Sequence, residues 1–395
     1  MKKIYPVVFI LVFCVTTLSC KGLSNGNNMK TKFSWDFYVS SPVHYSSELK
    51  YAKAFYGDKG EETVDVFDET AMAGLGNVTA TPFSVNPPQG EVSIPKGIDM
   101  VWVSIADKKI YRANIKFSQQ IQNKLLKAFR EGFYSHWRES NMDFNEFNVT
   151  ILPEGHLWLY LGIGNLRRVL ICDSLRGEET HMTLKEFSEG FYNAFQTVDS
   201  LCSDEKENSF FNEHGSEYDK IWAFYAQRFN YQFDIQFENK QTELRKGQFV
   251  INFANGEILN HDDPGYFEQP SRPNKMEFQW ITDGMLYTGH FYFDEEEVKK
   301  AFMEVYGNNP TQAGKLIVQI SKYNNWFDIY LEADNKKYKF EKTKIHVFKQ
   351  GVNDSDDRAM VFYDNHPQDG NDIFNFIGKF KNDLLVTLRD KLSLL

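Results

Sequence analysis

Trp102-Val103-Ser104-Ile105-Ala106-Asp107-Lys108-Lys109-Ile110-Tyr111-Arg112-Ala113-Asn114-Ile115-Lys116-Phe117-Ser118 and Trp280-Ile281-Thr282-Asp283-Gly284-Met285-Leu286-Tyr287-Thr288-Gly289-His290-Phe291-Tyr292-Phe293-Asp294 match once two turn residues are dropped from the first. Each reads as a strand, a tight turn, a returning strand and a helix cap. The turns are polar, Asp107-Lys108-Lys109 in one copy and Asp283-Gly284 in the other, and they separate alternating apolar positions, which is the hairpin signal. A helix is predicted from Ser118 with the stripe Ile121, Leu125, Ala128 and Phe129. Another is predicted from Asp294 with Val298, Ala301, Phe302 and Val305, stopped by Gly307. Asp294 with Glu297 predicts a capping box, and Glu295 and Glu296 favour the positive end of that helix.

The correspondence extends outward in both directions. Val149-Thr150-Ile151 and His156 to Leu161 enclose the turn Pro153-Glu154-Gly155, while Leu316 to Ile320 and Trp326 to Leu331 enclose Lys322-Tyr323-Asn324-Asn325. Both read as hairpins with a Trp near the head of the second strand. Thr183 with Glu186 caps a predicted helix whose stripe is Leu184, Phe187, Phe191, Ala194, Phe195 and Val198. Asp372 opens another, carrying Ile373, Phe376, Ile377, Phe380, Leu384 and Leu388. Phe33 to Phe37 and Tyr231 to Ile235 are matching first strands. The expected fold is therefore α+β, with two tandem duplicated units at 33–205 and 216–395, each an antiparallel sheet of hairpins with two helices. The acid-, Asn- and Ser-rich stretch from Ser203 to Glu217 joins them, followed by a helix from Ser216 with Ile221, Trp222, Tyr225 and Phe229. Regular βα alternation is missing, which argues against a doubly wound parallel sheet.

In a chain of 395 residues, 42% hydrophobic and 16% aromatic, a sizeable core is available. The net charge is −10, which disfavours nucleic acid as a partner and docking on anionic lipid through a basic patch. Lys2 and Lys3 precede an apolar run from Ile4 to Val15 that is too short to span a bilayer, so residues 1–19 read as a targeting segment outside the fold. Thr17-Leu18-Ser19-Cys20 resembles the lipobox of bacterial lipoproteins, with Thr17 where Leu is usual. That resemblance implies cleavage before Cys20, lipid on Cys20 and a membrane as partner; an ordinary cleaved signal is the alternative. Cleavage removes two cations and no acid, so the acidic balance persists. Residues 20–32 then read as a flexible tether. Cys172, in an apolar run, and Cys202, near a helix end, read as two buried thiols, with a disulfide as the alternative in an oxidising compartment.

Ile94-Pro95-Lys96-Gly97-Ile98-Asp99-Met100-Val101-Trp102, continued by Asp107-Lys108-Lys109-Ile110-Tyr111, resembles the central block of the bacterial lipoprotein family called domain of unknown function 2931. Trp35, Pro95-Lys96, Trp102, Tyr111 and Trp158 fill the family's positions over about 33 to 180. The second half fits more weakly, with Arg272-Pro273 in place of the Pro-Lys pair. The resemblance implies an envelope compartment and a fold unit, and no reaction.

Chemistry-bearing motifs are sparse. The nine His stand singly, without a His-Glu-x-x-His pair, which excludes a zincin. His261-Asp262-Asp263 and the acids Asp354, Asp356, Asp357, Asp364, Asp369 and Asp372 offer oxygen ligands without EF-hand spacing and read as solvated loops. There is no Gly-x-Ser-x-Gly elbow in a credible context, and Gly162-Ile163-Gly164 opens no helix. No catalytic residue, metal site or cofactor is assigned, and the ligand-binding residues are unknown. Trp102, Trp158, Trp280 and Trp326 are expected in the core rather than on a ligand platform. The expected function is a non-catalytic binding protein on the cell envelope that captures a protein or a glycan. The alternatives are a glycan-directed hydrolase with dispersed carboxylates and an immunity lipoprotein against a delivered toxin.

Overall fold

Alternation of apolar residues builds hairpins where the sequence places them, and the Trp102 and Trp280 hairpins are each followed by a helix. The computed structural model describes residues 30–361 except 68–69, 72–73, 77–83, 86–87, 136–137, 204, 262–268 and 353–358. The signal, Cys20 and the tether up to residue 29, and the expected helix from Asp372, lie outside the described residues; Lys32, read as tether, is already in a short strand paired with Ser93.

In the first half the longer strands are β1 (Asp36–Ser40), β2 (Ser47–Tyr56), β3 (Glu62–Phe67), β4 (Gly97–Ser104), β5 (Lys109–Lys116), β6 (Glu146–Ile151), β7 (His156–Ile163) and β8 (Arg167–Arg176), beside several of two or three residues. Helix α1 (Gln119–Glu131) lies between β5 and β6; Ser118 caps it by accepting from Ile121 N, and it buries Leu125 and Phe129. One antiparallel sheet runs β5–β4–β2–β3. In the other, β1 lies parallel to β6, and β6, β7 and β8 continue antiparallel.

The second half repeats this order of pairing. Its strands are β9 (Tyr231–Phe237), β10 (Phe249–Phe253), β11 (Ile258–His261), β12 (Pro273–Thr282), β13 (Met285–Tyr292), β14 (Gly314–Ile320), β15 (Phe327–Ala333), β16 (Lys336–Phe340) and β17 (Lys344–Gly351). The antiparallel run is β13–β12–β10–β11, with β17 added on β13, while β9 lies parallel to β14 and β14, β15 and β16 continue antiparallel. The β12–β13 turn places both Asp283 and Gly284 at positive φ, 51° and 74°, as a two-residue hairpin turn of matching twist demands. It feeds α7 (Glu295–Tyr306), whose N-cap Asp294 accepts from Glu297 N at 2.8 Å.

The protein is thus mixed α+β and mostly sheet. The described residues from Thr31 onward fall in one compact unit. Strand β8 meets β11 at Arg168–Ile258, so one sheet runs from β1 of the first half through to β17 of the second. Strand β7 is buried on both faces. Leu157, Leu159 and Leu161 enter the first half's core, while Trp158 and Tyr160 enter a core otherwise built mainly from the second half.

Two helical expectations are revised. The helix from Thr183 forms its capping box but stops at Phe187, giving α2 (Leu184–Phe187), α3 (Glu189–Phe195) and α4 (Val198–Leu201). Ser188 is extended and caps α3, with Oγ accepting from Phe191 N, and Thr197 caps α4 in the same way. Short hydroxyl side chains offer the backbone this exit from a helix, and it wins over the apolar stripe. The polar stretch after Ser203 contains α5 (Glu205–His214), whose Phe210 and Phe211 rings pack on Tyr45 at 5.8 and 5.2 Å between centroids. Next comes α6 (Tyr218–Ala226). Cys172 and Cys202 are both buried, in separate apolar clusters, and are not bridged to each other.

Candidate functional site

Three of the four strand tryptophans are core residues as expected. Trp102, Trp158 and Trp280 are fully buried. Trp102 stacks on Tyr111 and Trp280 on Tyr287, directly across their hairpins, at 5.7 and 5.5 Å between ring centroids. Trp326 departs from the expectation. It stands one residue before β15, 44% exposed, and Tyr323 in the same turn is 76% exposed. Register explains this: Phe327, Ile329 and Leu331 pair with Ile320, Val318 and Leu316 and fill the core, so Trp326, Asp328 and Tyr330 face outward. In β7 the outward residues His156, Trp158 and Tyr160 are covered; Tyr218 of α6, for instance, stacks on His156 at 3.5 Å and accepts a hydrogen bond from Trp158 Nε1 at 3.0 Å. On β15 Lys337 Nζ lies 3.9 Å from the centre of the Tyr330 ring and Asp328 is half-buried, while Trp326 beside them stays exposed.

The turn that carries Trp326 is fixed by polar bonds. Ser321 Oγ accepts from Asn325 N and Trp326 N at 3.3 and 3.1 Å, and Lys322 N donates to Glu238 Oε2 at 2.9 Å. Asn324, at φ 58°, turns its side chain inward, where Oδ1 accepts from Trp280 Nε1 at 2.8 Å. The core tryptophan of the second hairpin therefore anchors the loop that holds Trp326 at the surface.

Beside Trp326 lies a shallow cleft of about 230 Å³, lined by Gln236, Glu238, Lys240, Gln319, Ser321 and Asp328. Its floor is a chain of polar rungs across β9 and β14. Gln319 Nε2 donates to Gln236 Oε1 at 2.9 Å, and Gln236 Nε2 donates to Asp234 Oδ2 at 3.0 Å. Asp328 pairs with Lys339 at 2.8 Å. A flat indole beside amides, carboxylates and an ammonium provides an apolar face to stack on and hydrogen-bond groups of both senses within one ligand's reach.

Carboxyl groups that burial pushes up lie elsewhere and serve the fold. Asp107 accepts from Glu154 N at 2.7 Å, tying the β4–β5 turn to the β6–β7 turn. Glu146 accepts from Gly164 N at 2.8 Å, and Glu297 accepts from Glu341 N and Lys342 N, both at 2.9 Å. Among the described residues no three His, Cys, Asp or Glu side chains gather as a metal site, and no helix is long and apolar enough to cross a membrane. The His261-Asp262-Asp263 side chains and the acids from Asp354 to Asp372 lie outside the described residues, as does Cys20. The Trp326 cleft was not singled out from the sequence. Its only signal was an aromatic-bearing turn, Tyr323 to Trp326, where the first half has Pro153-Glu154-Gly155.

No curated protein and no solved structure matches the chain. The family model described as protein of unknown function, DUF2931, matches residues 24–219, covering Trp35, the Trp102 hairpin with its α1, and the Trp158 strand. Over residues 24–219 the chain therefore matches the DUF2931 family, as the block from Ile94 to Tyr111 led one to expect.

Proposed function

We propose that the protein is a bacterial envelope lipoprotein, anchored through lipid on Cys20, that acts as a non-catalytic binding protein and takes a glycan at the Trp326 cleft. The observation that carries the reading is the exposure of Trp326 and Tyr323 on a hydrogen-bonded turn, with Trp326 beside the Gln236–Gln319 rung and Asp328. Exposing a large indole runs against apolar burial, and a stacked sugar ring offsets that cost while its hydroxyls meet the amides and acids. We also infer that the two halves are a tandem duplication. Supporting this are the repeated pairing order, the hairpin followed by a capped helix in each half, and the Trp–Tyr pairs at Trp102–Tyr111 and Trp280–Tyr287.

The anchor is tested by palmitate labelling and fractionation of the full chain: wild type takes label and pellets with membranes, and Cys20→Ala takes none. The binding reading is tested by native electrophoresis in gels holding soluble β-glucan, galactomannan or solubilised peptidoglycan. Retardation of wild type in at least one gel, lost in Trp326→Ala at unchanged melting temperature, supports it. Equal mobility of both chains in every gel rejects it.

A further inference from the structure

Arg272 is a buried cation with no carboxylate paired to it among the described residues. It stands directly before β12 and is only 3% exposed. Its guanidinium carbon lies 3.4 Å from the centre of the Phe224 ring and 4.5 Å from that of Phe229. Nη1 donates to Phe224 O at 2.6 Å and Nη2 to Gln227 Oε1 at 2.7 Å, while Nε is buried with no acceptor. A guanidinium has five N–H groups, so neutral oxygens satisfy only part of it. The Phe224 carbonyl belongs to the last turn of α6, whose negative end supplies about half a charge. Burial without a counter-ion lowers the Arg272 pKa to about 9, the same direction of cost.

Arg272 is among the residues that line an open cleft of about 350 Å³, together with Phe224 and Gln227 near the end of α6 and Glu296 to Met303 of α7. Three cations line it, Arg272, Lys299 and Lys300, against one acid, Glu296. Lys299 already answers Glu295 and Glu296 at 2.9 and 2.7 Å, and Lys300 meets Glu304 only at 3.8 Å, with both side chains well exposed. In a chain of net charge −10 this is a local excess of positive charge. Apart from Gln227, the remaining wall is apolar and includes Phe302 and Met303, the latter 68% exposed. Arg168, the other fully buried arginine among the described residues, differs. It donates to the carbonyls of Leu75 and Gly256 at 3.4 and 3.3 Å and lines neither described cleft.

We propose that this cleft binds a small organic anion, a carboxylate carried on an apolar body, with the carboxylate at Arg272 and Lys300 and the body against Phe302 and Met303. Arginine's planar fork suits a carboxylate, and a water-poor wall strengthens the contact. The volume falls at the small end of the ~300–1,000 Å³ typical of small-molecule sites. The site is separate from the Trp326 cleft and shares no lining residue with it.

The test is fluorine NMR of 4-fluorophenylacetate against the full chain in detergent, with 4-fluorophenylacetamide as the uncharged probe. The carboxylate line should broaden, and the amide line should stay sharp. Lys300→Glu and Met303→Glu, both surface changes, should weaken carboxylate binding about tenfold at unchanged melting temperature. Arg272→Gln should abolish it, and Trp326→Ala should leave it unchanged, separating this site from the glycan reading. Should Arg272→Gln fail to fold, the two surface variants still decide. A sharp carboxylate line, equal broadening of both probes, or binding indifferent to Lys300→Glu and Met303→Glu would assign Arg272 solely to holding the end of α6 and overturn the proposal.

Discussion

Trp102 and Trp280 occupy like positions but have different polar surroundings. Trp280 Nε1 donates to Asn324, whereas Trp102 Nε1 is buried without an acceptor. Replacing either by Ala removes a whole indole from a closed core, a loss of ~3–5 kcal/mol. Phe substitution separates them. Trp280→Phe strands Asn324 Oδ1 in the core and adds ~1–3 kcal/mol to the loss of ring volume, and Trp102→Phe carries no such penalty. Urea melts of the two Phe variants should therefore show Trp280→Phe the less stable; the opposite order would deny the Asn324 anchor. His156 offers a second test at this scale. Burial first, and Arg176 second, hold its pKa down to about 4, below the ordinary 6.5. The unfolded chain then binds the extra proton between those values, so stability is full above pH 6.5 and falls as pH drops toward 4. The ring is only half-buried, so screening limits the loss to roughly 1–2 kcal/mol. His156→Phe keeps the stack on Tyr218 and should flatten that part of the pH dependence of melting; an unchanged slope would place the acid sensitivity elsewhere.

Among the elements, α7 shows both what its sequence reveals and what it conceals. Asp294 caps the helix as read, but Glu297 does not complete the box, because its carboxylate reaches across to the backbone of Glu341 and Lys342. A partner 44 residues away competes with the local one, and no local pattern announces it. Asp294→Ala should cost ~1 kcal/mol in chemical denaturation, and Asp294→Ser distinctly less; equal losses would mean that the cap contributes nothing specific. The hairpins were legible because a two-residue period survives any tertiary context. The break at Ser188 was not, since the stripe through Phe191 and Phe195 fits a continuous helix as well as three short ones. Trp326 was misread for a related reason: alternation says which residues share a strand face, but not whether another element covers that face. Trp158 and Tyr160 are fully buried, while Trp326 is exposed.

At the scale of the molecule, the halves share more than their linker. The β8–β11 seam, the two-faced burial of β7, and Tyr45 packed on Phe211 and Trp222 bind first-half residues into a core made mostly by the second. Residues 31–203 expressed alone would bare Trp158, Tyr160 and Tyr45. Such a fragment should lack a cooperative melt and bind hydrophobic dye, and a sharp two-state transition from it would show that the seam is dispensable. Glycan binding at the Trp326 cleft is the activity that the proposed function puts to measurement. The most direct measurement is isothermal titration of the full chain with an oligosaccharide cut from the polysaccharide that retards it. The account predicts saturable heat for wild type and affinity weakened about tenfold or more in Trp326→Ala, the loss of ~1.4 kcal/mol of stacking, with both proteins melting alike. Undiminished affinity in Trp326→Ala would contradict it.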